Sequence, residues 1–183
     1  MRGSSATSTG ESDVLPTPED APIAPLSPYG ASKAAAETYL ALYRRLHGLS
    51  TVSLRLANVY GPRQDPLGEG GVVAIFCAAA AAGRPATVFG DGRQTRDFVF
   101  VEDVAAAFIA GGSGDVSGAF NIGTGKETTV LDLVERLWLE AEFLPERPGE
   151  VRRSCLDAAA AGEALGWRPE VSLDEGLQRT MAA

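Results

Sequence analysis

Apolar positions recur along this chain in two rhythms, one of three to four residues and one of two, and their alternation predicts an α/β protein. From 28 to 47, Tyr39, Leu40, Leu42, Tyr43 and Leu46 fall at helical spacing and form the expected apolar side, and Gly48 ends the run. Residues 51–56 read as a strand, and 57–62 carry the chain out of it through a Tyr-Gly-Pro turn. An alanine-rich helix is expected over 73–82, a strand entering a tight turn over 87–92, and a second strand over 97–101. A helix over 102–111, a strand over 119–122 and an amphipathic helix over 128–140 follow, the last holding Leu131, Val134, Leu137 and Trp138. The tail reads as a strand-like patch near 151–156, a short helix at 157–165 and a closing helix from Ser172. Residues 1–27, rich in Ser, Thr, Pro and acids, show no period and read as a loop or free arm.

Candidate chemistry concentrates where the first helix begins. Ser27 suits the N-cap and Pro28 the first helical position, so Tyr29 sits in the first turn with Lys33 four residues on, on the same face. A tyrosine ordinarily titrates near ~10, so acting as a base at neutral pH requires help of the kind a helix N-terminus and a nearby ammonium give. Lys33 and Lys126 are the only lysines, the other basic residues being arginine. Spacing alone leaves two readings open, a proton-transfer pair or a solvated Tyr–Lys pair on a helix surface.

Composition narrows the classes. The 183 residues are enough for one substantial core or two small ones. A net charge of −8 argues against nucleic acid or an anionic membrane as the main partner. The longest apolar run, 72–82, is too short to span a bilayer. Cys77 and Cys155 make neither a disulfide framework nor a metal site, which suits a reducing cytoplasm. His47, the single histidine, reads as a helix-end residue, so neither a histidine-based triad nor a zinc site is expected. Gly123-Thr124-Gly125-Lys126 hints at a phosphate loop, but Glu127 stands where Ser or Thr is required. Glu102 and Asp103 read as the acidic first turn of a helix rather than paired catalytic carboxylates.

Four motifs in order are more specific: Ser-Pro-Tyr-Gly-x-Ser-Lys from 27, Arg-x-x-Asn-Val-Tyr-Gly-Pro-Arg from 55, Phe-Gly-Asp-Gly-x-Gln-Thr-Arg-Asp-Phe-Val from 89, and Asn-Ile-Gly-Thr-Gly from 121. Together they resemble the NAD-dependent epimerase/dehydratase family, the extended short-chain dehydrogenase/reductases, and within it the UDP-glucose 4-epimerase-like branch. The resemblance implies that Tyr29 is the base that takes a sugar hydroxyl proton while hydride passes to NAD, and that Lys33 holds the nicotinamide ribose. Ser5, in Ser4-Ser5-Ala6-Thr7-Ser8-Thr9-Gly10-Glu11, matches the family serine that hydrogen-bonds the same hydroxyl. Asn58 matches an asparagine on the nucleotide-sugar diphosphate, and Val73, Thr87 and Phe89 match positions lining the nucleobase. Arg96 and Arg147 match the pair that clamps the diphosphate, and Glu150 a contact to the nucleotide ribose. The implied reaction passes through a 4-keto sugar; dehydratases, reductases and decarboxylases of the same family are the neighbouring alternatives. A non-catalytic nucleotide-sugar-binding or interaction module is the alternative from another class.

The resemblance also implies an architecture: the C-terminal part of a Rossmann-type doubly wound domain plus a smaller α/β substrate-binding domain. Residues 1–62 would be the remnant of the NAD-binding domain and 63–183 the nucleotide-sugar domain. A dinucleotide site opens on a strand, a Gly-x-x-Gly-x-x-Gly-like turn and a helix, and this sequence contains no such turn. The expectation is a chain that lacks the N-terminal cofactor-binding half, binds NAD weakly or not at all, and is inactive alone. The family homodimer pairs two helices from each subunit. Only one of these, 28–47, is present, so this chain is not expected to form that dimer.

Overall fold

The computed structural model describes residues 12–67, 71–114 and 116–183. Helix α1 spans Pro28–His47, capped by the Ser27 side chain at its start and by left-handed Gly48 (φ 66°) at its end. Strands β1 (Val52–Leu56) and β2 (Asn58–Tyr60) follow, then α2 (Val72–Ala81), β3 (Ala86–Phe89), β4 (Thr95–Arg96) and β5 (Phe98–Phe100). The rest is α3 (Val101–Gly112), β6 (Gly118–Ile122), β7 (Thr128–Thr129), α4 (Val130–Arg136), β8 (Ala141–Leu144), α5 (Ala159–Leu165) and α6 (Leu173–Met181).

Three strand pairs are parallel, as α/β connections through helices demand. They are β1 with β6, β2 with β5, and β3 with β8. The short β4–β7 pair is antiparallel. Alternation along β1 decides which helix covers which face. Ser53 and Arg55 donate to Glu37 of α1, whereas Val52 and Leu54 lie beside Gly111 of α3, so the two helices sit on opposite faces. One apolar cluster gathers Phe76, Val88, Phe98, Phe100, Leu133 and Leu177, from α2, β3, β5, α4 and α6. A second gathers Leu56, Val99, Val104, Ile122, Leu156 and Trp167 around β1, β5, β6, α3 and α5. The Trp167 indole donates to the Asp103 carbonyl (2.8 Å), and the buried Asp103 carboxylate accepts the Glu170 and Val171 amides. Asp103 therefore serves as a structural acceptor at the start of α3.

The predicted elements recur with four differences. Asn58–Tyr60 forms a strand, because β5 offers it a parallel partner. The strand expected over 97–101 is Phe98–Phe100, Val101 already opening α3, and Thr95–Arg96 forms a further strand, β4, before Asp97. Helix α4 stops at Arg136, and Trp138 adopts φ 54° and is 94% exposed instead of joining the apolar side. The tail strand lies at Ala141–Leu144, where β3 receives it, and 151–156 contributes only an isolated bridge from Leu156 to Thr17. That bridge also corrects the free-arm expectation for the described part of the N-terminal segment. Thr17 is buried, its N–H donates to Cys155 O (2.8 Å), and the Asn121 side chain donates to its carbonyl (2.9 Å). Most of the apolar side expected for α1 looks outward: Tyr39, Tyr43 and Leu46 are exposed, while Leu40 lies on the Glu37 side, where its carbonyl accepts from the Thr51 hydroxyl. The Glu37–Arg55 pair turns the other side of the helix to the sheet. No described helix is long and apolar enough to cross a membrane.

Candidate active site

The Ser27 hydroxyl accepts the Gly30 N–H (3.1 Å), and this cap fixes where α1 begins. Tyr29 is thereby held in the first turn, with the Lys33 ammonium nitrogen 5.1 Å from its ring centroid. The Tyr29 hydroxyl is buried and has no hydrogen-bond partner among the described residues. Two turns further along the same face, Glu37 receives Arg55 from β1 through Nε (3.1 Å) and Nη2 (2.5 Å). The same guanidinium donates to the Glu19 carbonyl (2.7 Å). A fork of this kind fixes both the distance and the rotation of a helix on a sheet. Ser5, the third expected member, lies outside the described residues.

A second group assembles beyond β3. The Arg147 guanidinium lies over the Phe89 ring, 3.6 Å from its centroid. Arg96 donates to Glu150 (3.2 Å) and to the Thr95 carbonyl (2.7 Å). The Glu150 N–H donates back to the Arg147 carbonyl (3.3 Å), so a single turn presents both residues. Burial draws the Arg96 guanidinium below its ordinary value, and Glu150 opposes that shift. Four expected residues thus come into contact: Phe89, Arg96, Arg147 and Glu150. Thr87 is exposed on β3, opposite Glu142. Val73, in the first turn of α2, is 1% exposed and belongs to the core. Asn58 opens β2, half-buried, and its N–H donates to the Asp97 carbonyl (2.8 Å).

Sequence reasoning passed over two buried charges here. Asp97 interrupts an apolar strand pattern, and Arg55 does the same in β1. A charge inside such a run is the signal that would have found them, since full burial demands partners. Burial pushes the Asp97 carboxyl up, while donors from Thr124, Leu156 and Gly125 pull it the other way. Cys155 is buried, and that burial pushes its thiol up to about 12.

The residues present fit one end of a nicotinamide dinucleotide. A buried phenol without a partner among the described residues and an adjacent ammonium suit the nicotinamide ribose and a reacting hydroxyl. For the pyrophosphate, the sequence holds no Gly-x-x-Gly-x-x-Gly turn between a strand and a helix.

Comparison with known proteins gives these contacts a context. Residues 2–123 match the NAD dependent epimerase/dehydratase family. The chain is 50% identical over 179 residues to a UDP-glucose 4-epimerase of Mycolicibacterium smegmatis, covering 94% of this chain and 57% of that protein. It superposes on the UDP-glucose 4-epimerase of Thermotoga maritima, solved with UDP-glucose, with a TM-score of 0.93 at 45% identity. That match covers 98% of this chain and 60% of the other. The Thermus thermophilus UDP-glucose 4-epimerase, solved with NAD, gives a TM-score of 0.85 at 39% identity over the same shares. The chain thus spans well under two thirds of the length of each of these proteins. With its ordered motifs, its α/β fold and a family match over two thirds of its length, this chain belongs to the NAD-dependent epimerase/dehydratase family.

Proposed function

We propose that this chain carries the proton-transfer and nucleotide-sugar-binding residues of a UDP-sugar 4-epimerase that works through a 4-keto sugar. The observation that carries the reading is the Tyr29 hydroxyl, buried without a partner among the described residues beside the Lys33 ammonium. Tyr29 Oη would take the proton of the sugar 4-hydroxyl and later return it, with Ser5 holding the same hydroxyl. Lys33 would hold the nicotinamide ribose. NAD, when bound, supplies a reversible hydride acceptor for the sugar carbon. Arg96, Arg147 and Asn58 would take the diphosphate, Phe89 and Thr87 the base, and Glu150 the ribose. Val73 would contribute from the core, in the same apolar cluster as Val88, which lies between Thr87 and Phe89 on β3. The free, buried thiols of Cys77 and Cys155 support a reducing, cytoplasmic setting.

Without a Gly-x-x-Gly-x-x-Gly turn between a strand and a helix in its sequence, the chain by itself holds NAD weakly and does not sustain turnover. A second reading, a nucleotide-sugar-binding module without catalysis, is supported by the Phe89, Arg96, Arg147 and Glu150 contacts, none of which involves the Tyr29 pair. Fluorescence titration of the 183-residue chain with NADH, with and without UDP-glucose, tests whether it works as an epimerase by itself, and calorimetric titration with UDP-glucose tests the nucleotide-sugar site. Saturable NADH binding at micromolar levels, with conversion of UDP-galactose, would make the chain an epimerase in its own right. UDP-glucose binding with negligible NADH binding is the expected result, and loss of both would sink the nucleotide-sugar reading.

A further inference from the structure

Asp97 is 1% exposed, so it can reach no ligand, yet three separate segments of the chain meet on it. Its carboxylate accepts the Thr124 N–H (2.9 Å) and hydroxyl (2.6 Å) at Oδ1, and the Gly125 (3.2 Å) and Leu156 (3.3 Å) N–H groups at Oδ2. Its own carbonyl accepts the N–H of Asn58 (2.8 Å). Arg96 precedes it directly in the chain. Leu156 closes the stretch that runs on from Arg147 and Glu150, and the Arg152 carbonyl in that stretch accepts the Thr95 N–H (2.9 Å). The site leaves room for nothing larger: a Cβ on Gly123 would collide with Asp97 Oδ2.

We propose that Asp97 is a positioning residue: by tying the strand that follows Arg96 and pairs with Asn58 to Leu156, at the end of the stretch that carries Arg147 and Glu150, its carboxylate sets these residues in register for one anionic ligand. This rests on the reading that those residues take a nucleoside diphosphate. Only a carboxylate can accept four donors converging from two sides. An asparagine offers one acceptor oxygen and turns two N–H donors against the others. Charge and position act in opposite directions here, which makes the test diagnostic. As a negative charge one residue along the chain from Arg96, Asp97 repels an anion, so neutralising it would tighten binding. As a positioning group, its loss separates the donors, and binding weakens.

The test is calorimetric titration of UDP into the full chain and its variants, below every unfolding midpoint, with circular dichroism confirming the fold. Asp97→Asn is expected to weaken UDP binding by about tenfold or more. Thr124→Val, which keeps the charge and the backbone donors, is expected to weaken it by about threefold, and Thr124→Ser to restore it. A residue that only stabilised the fold would lower the midpoint and leave the Kd of the folded chain unchanged. Folded Asp97→Asn or Thr124→Val chain that binds UDP as tightly as the parent, or more tightly, overturns the proposal. Where Asp97→Asn does not fold, Thr124→Val decides alone. Absence of UDP binding by the parent chain would instead overturn the clamp reading, and this role with it.

Discussion

Arg55 of β1 grips Glu37 of α1 through two nitrogens, and this fork holds the helix bearing Tyr29 and Lys33 against the sheet. The two side chains retain only 7% and 18% of their exposure, so each charge depends on the other.

Removing either partner leaves a buried charge unpaired. Arg55→Met and Glu37→Gln are each expected to lower stability by about 3 kcal/mol in urea unfolding. The double variant should lose less than the sum of the two. Additive losses would mean that the pair does not act as a unit.

The Arg147–Phe89 stack bears on ligand binding. Arg147→Ala removes one guanidinium from the proposed diphosphate site, and UDP affinity is expected to fall about tenfold, with a weaker dependence on salt. Phe89→Leu keeps an apolar surface but loses the flat ring face, and its effect should appear in affinity with little change in unfolding midpoint. Equal UDP binding by both variants and the parent would place the nucleotide elsewhere.

Glu127 provides a pH-dependent contribution. The Arg153 guanidinium grips its carboxylate (2.9 and 2.5 Å), Thr95 adds a hydroxyl, and the carboxyl is held below its ordinary value. A lowered carboxylate stabilises the fold above the ordinary glutamate range and loses that contribution as pH falls through the lowered value. Glu127→Gln should therefore lower the thermal midpoint at pH 7. The gap to the parent should begin to close near the ordinary value of about 4.3 and vanish below the folded-state value. A gap independent of pH would assign the effect to packing.

Leu133 is fully buried in the cluster between α2, β3 and α4. Leu133→Ala leaves a cavity and is expected to cost about 3 kcal/mol in chemical denaturation. A loss under about 1 kcal/mol would mean that the surrounding side chains close the gap.

Local features were legible in the sequence. Ser27-Pro28 marked the start of α1 and Gly48 its end, and the four-residue interval placed Tyr29 and Lys33 together. Such signals act within one or two turns, where backbone geometry alone fixes the outcome. Strand β8 was missed because four residues, two of them exposed apolar ones, carry too little pattern to identify a strand before β3 pairs with it.

By itself, then, the sequence determined the family motifs, the α/β alternation and the spacing of the tyrosine–lysine pair, because each is written in consecutive or nearly consecutive residues. Only the tertiary structure decided which side of α1 meets the sheet, since this follows from a pairing 18 residues apart. It also decided that Arg96 meets Glu150 across 54 residues and that Asp97 meets Leu156 across 59. The physical reason is that a buried charge takes its partners from whatever the packed strands bring within hydrogen-bond reach, and that neighbourhood exists only once the chain has folded.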